Sequence, residues 1–105
     1  MNEFIFLYIT FSSKHSAIEL AKKCLTKKMI ACANIIPEVI SIYNWENNIE
    51  QNNEVIAIFK TTKNKQQELA NFIKEHHDYD CPCIASLETE ILNKDFGTWI
   101  KNCVM

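Results

Sequence analysis

The chain has 105 residues, of which 48% are hydrophobic, 10% aromatic and 23% charged, as expected for one globular domain over residues 1–105 rather than a disordered chain. Its formal charge is −2, and all 11 of its basic residues are lysines. Because nucleic-acid binding requires a basic face, usually with arginine, we expect no nucleic-acid partner.

The first half of the chain predicts a strand, a helix and a second strand. Residues 4–11 form a short apolar run, rich in aromatic and β-branched side chains, that is typical of a buried strand. Ser13 or Ser16 can cap the helix that follows, whose small and apolar residues recur on one face through Leu25. Residues 30–45 then predict a long strand in which Pro37 indicates a bulge or an edge position, since proline donates no ladder hydrogen bond.

The second half predicts a return strand and three further elements. Asn47-Asn48 favours a tight turn, because asparagine tolerates positive φ. We expect a strand over 49–61, a helix from Asn64 to His76, a strand over 83–90 and a short helix from Asp95. The order β-α-β-β-α-β predicts an α+β, ferredoxin-like sandwich with helices on one face of an antiparallel sheet, a long β-hairpin and a short C-terminal helix.

Motif and cysteine content restrict the environment and the chemistry. A single glycine excludes a glycine-rich phosphate loop. The apolar run at 4–9 has no basic residue before it and is far shorter than the roughly 20 residues of a membrane span. Five cysteines, an odd number, indicate reduced thiols rather than disulfides. We therefore expect a cytoplasmic protein without a membrane partner.

The densest group of candidate metal ligands lies in residues 76–83, which contain two histidines, two aspartates and two cysteines. Imidazole and thiolate are ligands that copper, zinc and nickel favour. The extended backbone expected before Pro82 would place Cys81 and Cys83 on the same side of the chain. Alternatively, His76 simply ends a helix, the aspartates are solvated and Cys83 is a small buried hydrophobic residue.

A second candidate site surrounds the predicted hairpin tip, where Tyr43 and Trp45 have no deep core to enter. Their burial requires another chain or a ligand, so they form either a subunit contact or part of a small-molecule pocket. We assign Lys60 and Tyr79 to the same possible intersubunit cleft, although Lys60 could merely pair with Glu46 or Glu54. No complete acid–base or nucleophile set is present, and we expect no enzymatic activity.

Several motifs occur in a fixed order along nearly the whole chain. They are Ala31–Pro37 (ACANIIP), Ser41–Glu46 (SIYNWE), Glu54-Val55 with Lys60-Thr61, and His77–Pro82 (HDYDCP). Together they resemble the successive signatures of the CutA divalent-cation tolerance family. The resemblance implies a ferredoxin-like fold, a homotrimer held by the long hairpins with PII-like architecture, a cytoplasmic location, and binding of copper or another divalent metal ion.

The resemblance also implies metal ligands. In the family, metal is associated with the histidine that matches His77 and with an acidic residue after the proline that matches Pro82, where this chain has Cys83. We predict His77 and Cys83 as first ligands and Cys81 as an auxiliary ligand. Cys83 in place of an acid favours softer ions such as Cu(I) or Zn(II), whereas Ile9 replaces a cysteine that some relatives carry.

The alternative function is a PII-like signalling trimer that senses a small molecule. In that case Tyr43, Trp45 and Lys60 would bound a cleft between subunits, and metal binding would be incidental. A ligand screen that tests this alternative would use nucleotides and small anionic metabolites.

Overall fold

The computed structural model describes residues 2–104, which form a four-stranded antiparallel sheet and three α-helices. The elements are β1 (Phe4–Phe11), α1 (Lys14–Thr26), β2 (Cys32–Trp45), β3 (Asn48–Thr62), α2 (Gln66–His76), β4 (Ile84–Thr89) and α3 (Lys94–Cys103). A single 3-10 turn, Lys63–Lys65, leads into α2. The strand order is β2-β3-β1-β4. This arrangement confirms the predicted ferredoxin-like α+β fold.

Alternate residues of β1 form the centre of the core, as period-2 alternation predicts for a strand with one buried face. They pack on the buried faces of α1 and α2 through Leu20, Leu69 and Ile73. Burial of each such aliphatic side chain contributes about 1.5–3 kcal/mol. Ile9 is one of these core residues and is fully buried, so this position points into the core rather than toward a surface site.

The two helices of the predicted ferredoxin-like plan, α1 and α2, share one face of the sheet, and the additional third helix lies on the opposite face. Gly97 of α3 sits directly against the Phe4 ring, which an added Cβ would approach to 3.0 Å. Lys60 Nζ lies over the Phe6 ring of β1 and the Phe96 ring of α3. The helix thereby covers the base of this sheet face and leaves the hairpin uncovered.

The hairpin confirms the prediction that Pro37 lies at a bulge or on an edge strand. The register of β2 against β3 shifts between Ile36 and Val39, and β2 is also an edge strand. The predicted turn position is wrong by one residue: Glu46 and Asn47, at φ 50° and 67°, form the turn, and Trp45 pairs with Asn48. The pairing of β2 with β3 determines the position of the turn, because a register shift of one residue would move every side chain to the opposite face of the sheet.

The two faces of the hairpin differ in chemistry. Directly opposite residues share a face, so the pairs Ile42–Gln51 and Asn44–Ile49 lie on one side, together with Ile40. These three isoleucines are 63%, 66% and 77% exposed in chain order. The other face carries the aromatic and polar pairs Tyr43–Glu50 and Trp45–Asn48. We call these sides the apolar face and the aromatic face of the hairpin.

The last strand begins later than the sequence predicted. Its first ladder pair is Ile84 with Ile9, so Cys83 precedes β4 instead of starting it. Helix α1 begins at the Ser13 cap, whose Oγ accepts a hydrogen bond from the Ser16 backbone N–H. Among residues 2–104, none of the helices combines the length and apolar character that crossing a membrane would require.

Candidate functional site

A cavity of about 760 Å³ opens between the aromatic face of the hairpin and the segment that follows α2. Tyr43, Trp45 and Tyr79 contribute aromatic rings to its lining, and Cys81 contributes a thiol. The other residues of the lining are polar: Ser12, Glu50, Asn52, Asn53 and Glu54. The structure therefore brings together three of the four residues predicted for a cleft, within one chain.

The fourth predicted cleft residue, Lys60, is not part of this cavity. It pairs with Cys32 near the base of the hairpin, six residues and about 20 Å along the strand from Glu54. Its Nζ lies 5.3 Å from the centroid of the Phe6 ring and 5.6 Å from that of Phe96. Within one chain, strand length separates Lys60 from Tyr43 and Trp45. The predicted grouping of these residues across a subunit interface stays a prediction.

Both ring nitrogens of His77 are hydrogen bonded within the chain. The backbone N–H of Tyr79 donates to Nδ1 across 3.0 Å, and Nε2 lies 2.8 Å from the Thr10 carbonyl oxygen. Since Nδ1 accepts, Nε2 must carry the proton and donate to that carbonyl. The ring also stacks on Phe11 at a centroid distance of 4.6 Å. His77 therefore fixes the segment after α2 to the end of β1.

Tyr79 continues this connection to the hairpin. Its hydroxyl donates a 2.7 Å hydrogen bond to Oε2 of Glu54. Burial raises the pKa of Tyr79 above its usual range, and the hydrogen bond to Glu54 raises the pKa further. Tyr79 therefore remains a protonated donor at neutral pH, and it holds the Glu54 carboxylate at the cavity.

Two interactions of the cavity were missed from the sequence. Asn52 Nδ2 donates a hydrogen bond to the Tyr43 hydroxyl across the hairpin, and Glu54 accepts from Tyr79. Glu54 belonged to a recognised motif and Asn52 to none. The pairing of Ser41 with Asn52 in the register places Asn52 two ladder pairs from Tyr43, on the same face, but a sequence alone does not give that register.

The predicted thiol ligands lie at the surface. Cys81 and Cys83 are exposed, whereas Cys24 is fully buried and burial raises its pKa to about 12. Burial also raises the pKa of Cys32, against the opposing effect of the Lys60 charge. Within residues 2–104, no three histidine, cysteine, aspartate or glutamate side chains converge closely enough to hold a metal ion. Cys81 and Cys83 are consequently the thiols most open to a metal in solution.

Comparison with known proteins identifies the family. The model of the CutA1 divalent ion tolerance protein family matches residues 5–103. A divalent-cation tolerance protein CutA from Thermococcus kodakarensis is 41% identical over 98 residues, 93% of each chain. One from Thermotoga maritima is 37% identical over 101 residues, 96% of this chain and 99% of the relative.

Solved structures agree with this assignment. The crystal structure of CutA1 from Ehrlichia chaffeensis has a TM-score of 0.93 at 35% identity and covers 98% of this chain and 96% of its own. That of CutA1 from Oryza sativa has a TM-score of 0.95 at 30% identity, with coverage of 99% and 95%. With the motifs from Ala31 to Pro82 in place, the chain belongs to the CutA1 divalent ion tolerance protein family.

Proposed function

We propose that this protein binds a soft or borderline metal ion, copper or zinc, through the thiols of Cys81 and Cys83, and that it has no enzymatic activity. The observation that carries the proposal is the exposure of both thiols on either side of Pro82. Thiolates select Cu(I) and Zn(II) over harder ions. The names of the relatives support a role in tolerance of divalent ions.

His77 enters the proposal as an additional ligand with a structural cost. To coordinate a metal, its ring must release either the Thr10 carbonyl or the Tyr79 N–H. The thiols need no such rearrangement, so they bind the metal first and His77 joins only if the segment after α2 moves. A third ligand from a second copy of the chain is the other way to complete the set.

A metal titration of the reduced protein tests these ligands. Zinc chloride, or Cu(I) against a chelating competitor, is titrated into the wild type, Cys81→Ser, Cys83→Ser and His77→Gln. Each cysteine variant should lose more than about tenfold in affinity, a loss that even an outer-shell partner can cause. Cys103→Ser is the matched control and should bind as the wild type does. Unchanged affinity in both cysteine variants would exclude the assignment.

We further propose a homotrimer in which neighbouring chains bury the apolar face of the hairpin. Ile40, Ile42 and Ile49 form an exposed apolar stripe on a ribbon that extends the molecule to 46 Å in its longest dimension. Soluble monomers rarely leave such a contiguous patch uncovered. A cytoplasmic location belongs to the same proposal, because a reducing compartment preserves the thiols.

Light scattering at known concentration tests the assembly. The wild type should have the mass of three chains, whereas Ile40→Asp with Ile42→Asp should give smaller species because charges cannot be buried unpaired at an interface. Leu25→Asp adds a negative charge at an exposed apolar position of α1, away from the hairpin, and should remain a trimer. A well-folded wild-type monomer would contradict the proposal. The PII-like alternative receives no support from the relatives named above, which are all CutA proteins.

A further inference from the structure

The charge of the cavity at the aromatic face restricts what it can bind. The lining includes the acidic residues Glu50 and Glu54, and among residues 2–104 no lysine or histidine belongs to it. Lys60, which the sequence placed at this cleft, lies at the other end of β3 under α3. A nucleotide or small anionic metabolite would meet repulsion here without a compensating cation, so a positively charged ligand is favoured.

The aromatic walls add a second preference. The rings of Tyr43 and Trp45 lie on the same side of the hairpin as Glu50, and Trp45 remains 63% exposed. A cation placed over an aromatic ring is attracted by the ring quadrupole, and an apolar group of the ligand would bury ring surface. Aromatic rings beside carboxylates are thus complementary to an ammonium group attached to an apolar portion.

The polar groups of the cavity are fixed before any ligand binds. Glu54 accepts from Tyr79 across 2.7 Å, Tyr79 is positioned by His77, and the Tyr43 hydroxyl accepts from Asn52. Each bond reduces the side-chain entropy that binding would otherwise have to remove. The volume of about 760 Å³ is within the usual range of about 300–1,000 Å³ for small-molecule sites.

We propose that this cavity is a binding site for an organic cation, an amine or quaternary ammonium with an apolar portion. A bare metal ion fits the cavity less well, because the described side chains do not bring three ligand groups together. Cys81 lines the cavity and is also a ligand of the proposed metal site, so the cation site is tested on metal-free protein.

Three probes that share a phenyl ring test the charge preference: 2-phenylethylamine, 2-phenylethanol and phenylacetate. They are titrated calorimetrically into the reduced, metal-free protein at low salt. We expect the amine to bind, the neutral alcohol to bind at least about fivefold more weakly, and phenylacetate to bind most weakly, as loss of a cation–π contact and of charge attraction requires. Equal or tighter binding of phenylacetate, or no binding of the amine, would overturn the proposal.

Variants locate the site. Glu54→Gln keeps an oxygen that can accept from Tyr79, so it removes charge with little change of shape. It should weaken amine binding at least about fivefold, and Trp45→Ala should do likewise. Glu75→Gln removes an exposed carboxylate from α2 and should leave binding unchanged. If Trp45→Ala unfolds by circular dichroism, Glu50→Gln replaces it. An unchanged amine affinity in Glu54→Gln would show that the ligand binds elsewhere and would overturn the proposal. The proposed metal site is tested by its own titration, so this outcome would not decide it.

Discussion

The Tyr79 hydroxyl and the Glu54 carboxylate, 25 positions apart in sequence, are joined by a 2.7 Å hydrogen bond. This bond connects the segment after α2 to β3 at the point where the hairpin leaves the sheet. His77 lies behind it, bonded to Thr10 and to the Tyr79 backbone. The cavity therefore owes its shape to a chain of polar contacts that crosses from β1 to the hairpin.

Removal of the Tyr79 hydroxyl should destabilise the protein. In Tyr79→Phe the half-buried Glu54 loses a donor, and we expect the free energy of unfolding to fall by about 1–2 kcal/mol. Urea unfolding at fixed protein concentration measures the change. Glu54→Gln retains an acceptor and should lose less. A Tyr79→Phe variant as stable as the wild type would show that the bond contributes nothing to folding.

Two adjacent histidines should respond differently to truncation. His77→Ala removes two hydrogen bonds and the stacking on Phe11, and should reduce the free energy of unfolding by about 2–3 kcal/mol. His76 is exposed and contacts only its own helix at Phe72 in the interactions described. His76→Ala should therefore reduce stability by less than about 1 kcal/mol. Equal losses in the two variants would argue against His77 as a structural clamp.

Stability should fall at alkaline pH because of Cys24. Burial raises the pKa of this thiol from 9.0 to about 12, so the unfolded chain loses the proton first. The stabilising contribution is complete below pH 9 and is lost as the pH rises toward 12, at up to about 1.4 kcal/mol per pH unit. Urea unfolding from pH 8 to 10 should show stability falling ever more steeply, and Cys24→Ala should make the fall less steep, with the raised pKa values of Cys32 and Tyr79 accounting for the remainder. An identical slope in Cys24→Ala would refute the explanation.

Glycine at position 46 should stabilise the hairpin turn relative to the native Glu46. Glu46 adopts φ 50°, a left-handed conformation that glycine and asparagine adopt more readily than glutamate. Glu46→Gly should raise the free energy of unfolding by about 0.5–1 kcal/mol, whereas Glu46→Val should lower it. Thermal unfolding of the two variants against the wild type measures both effects. A more stable valine variant would contradict the turn geometry.

Local patterns predicted most of the fold and only part of the cavity. Alternation along β2 puts Tyr43 and Trp45 on one face of the hairpin and Ile40 and Ile42 on the other, and the register agrees with this pattern. The turn was misplaced because Asn47 can occupy either of its two central positions. Side-chain periodicity therefore predicts which residues share a face of a strand, whereas the pairing of the two strands determines where the turn lies.

Local sequence patterns did not predict the contacts between residues that are far apart in the chain. His77 was predicted as a metal ligand from the cluster of candidate ligands and the family resemblance, whereas its bond to Thr10 spans 67 positions, which no local pattern reveals. Lys60 was grouped with Tyr43 and Trp45 in a possible cleft between subunits, and within one chain six residues of extended strand separate it from Glu54. Such contacts depend on the packed tertiary structure, and local sequence specifies them only indirectly.

Native mass spectrometry of the reduced protein with added zinc tests the central claim most directly, because it reads chain number and bound metal in one spectrum. The account predicts a species of three chains that carries zinc, and loss of the zinc but not of the trimer in Cys81→Ser with Cys83→Ser. Zinc retained in full by that double variant, or a wild type that is a metal-free single chain, would contradict it.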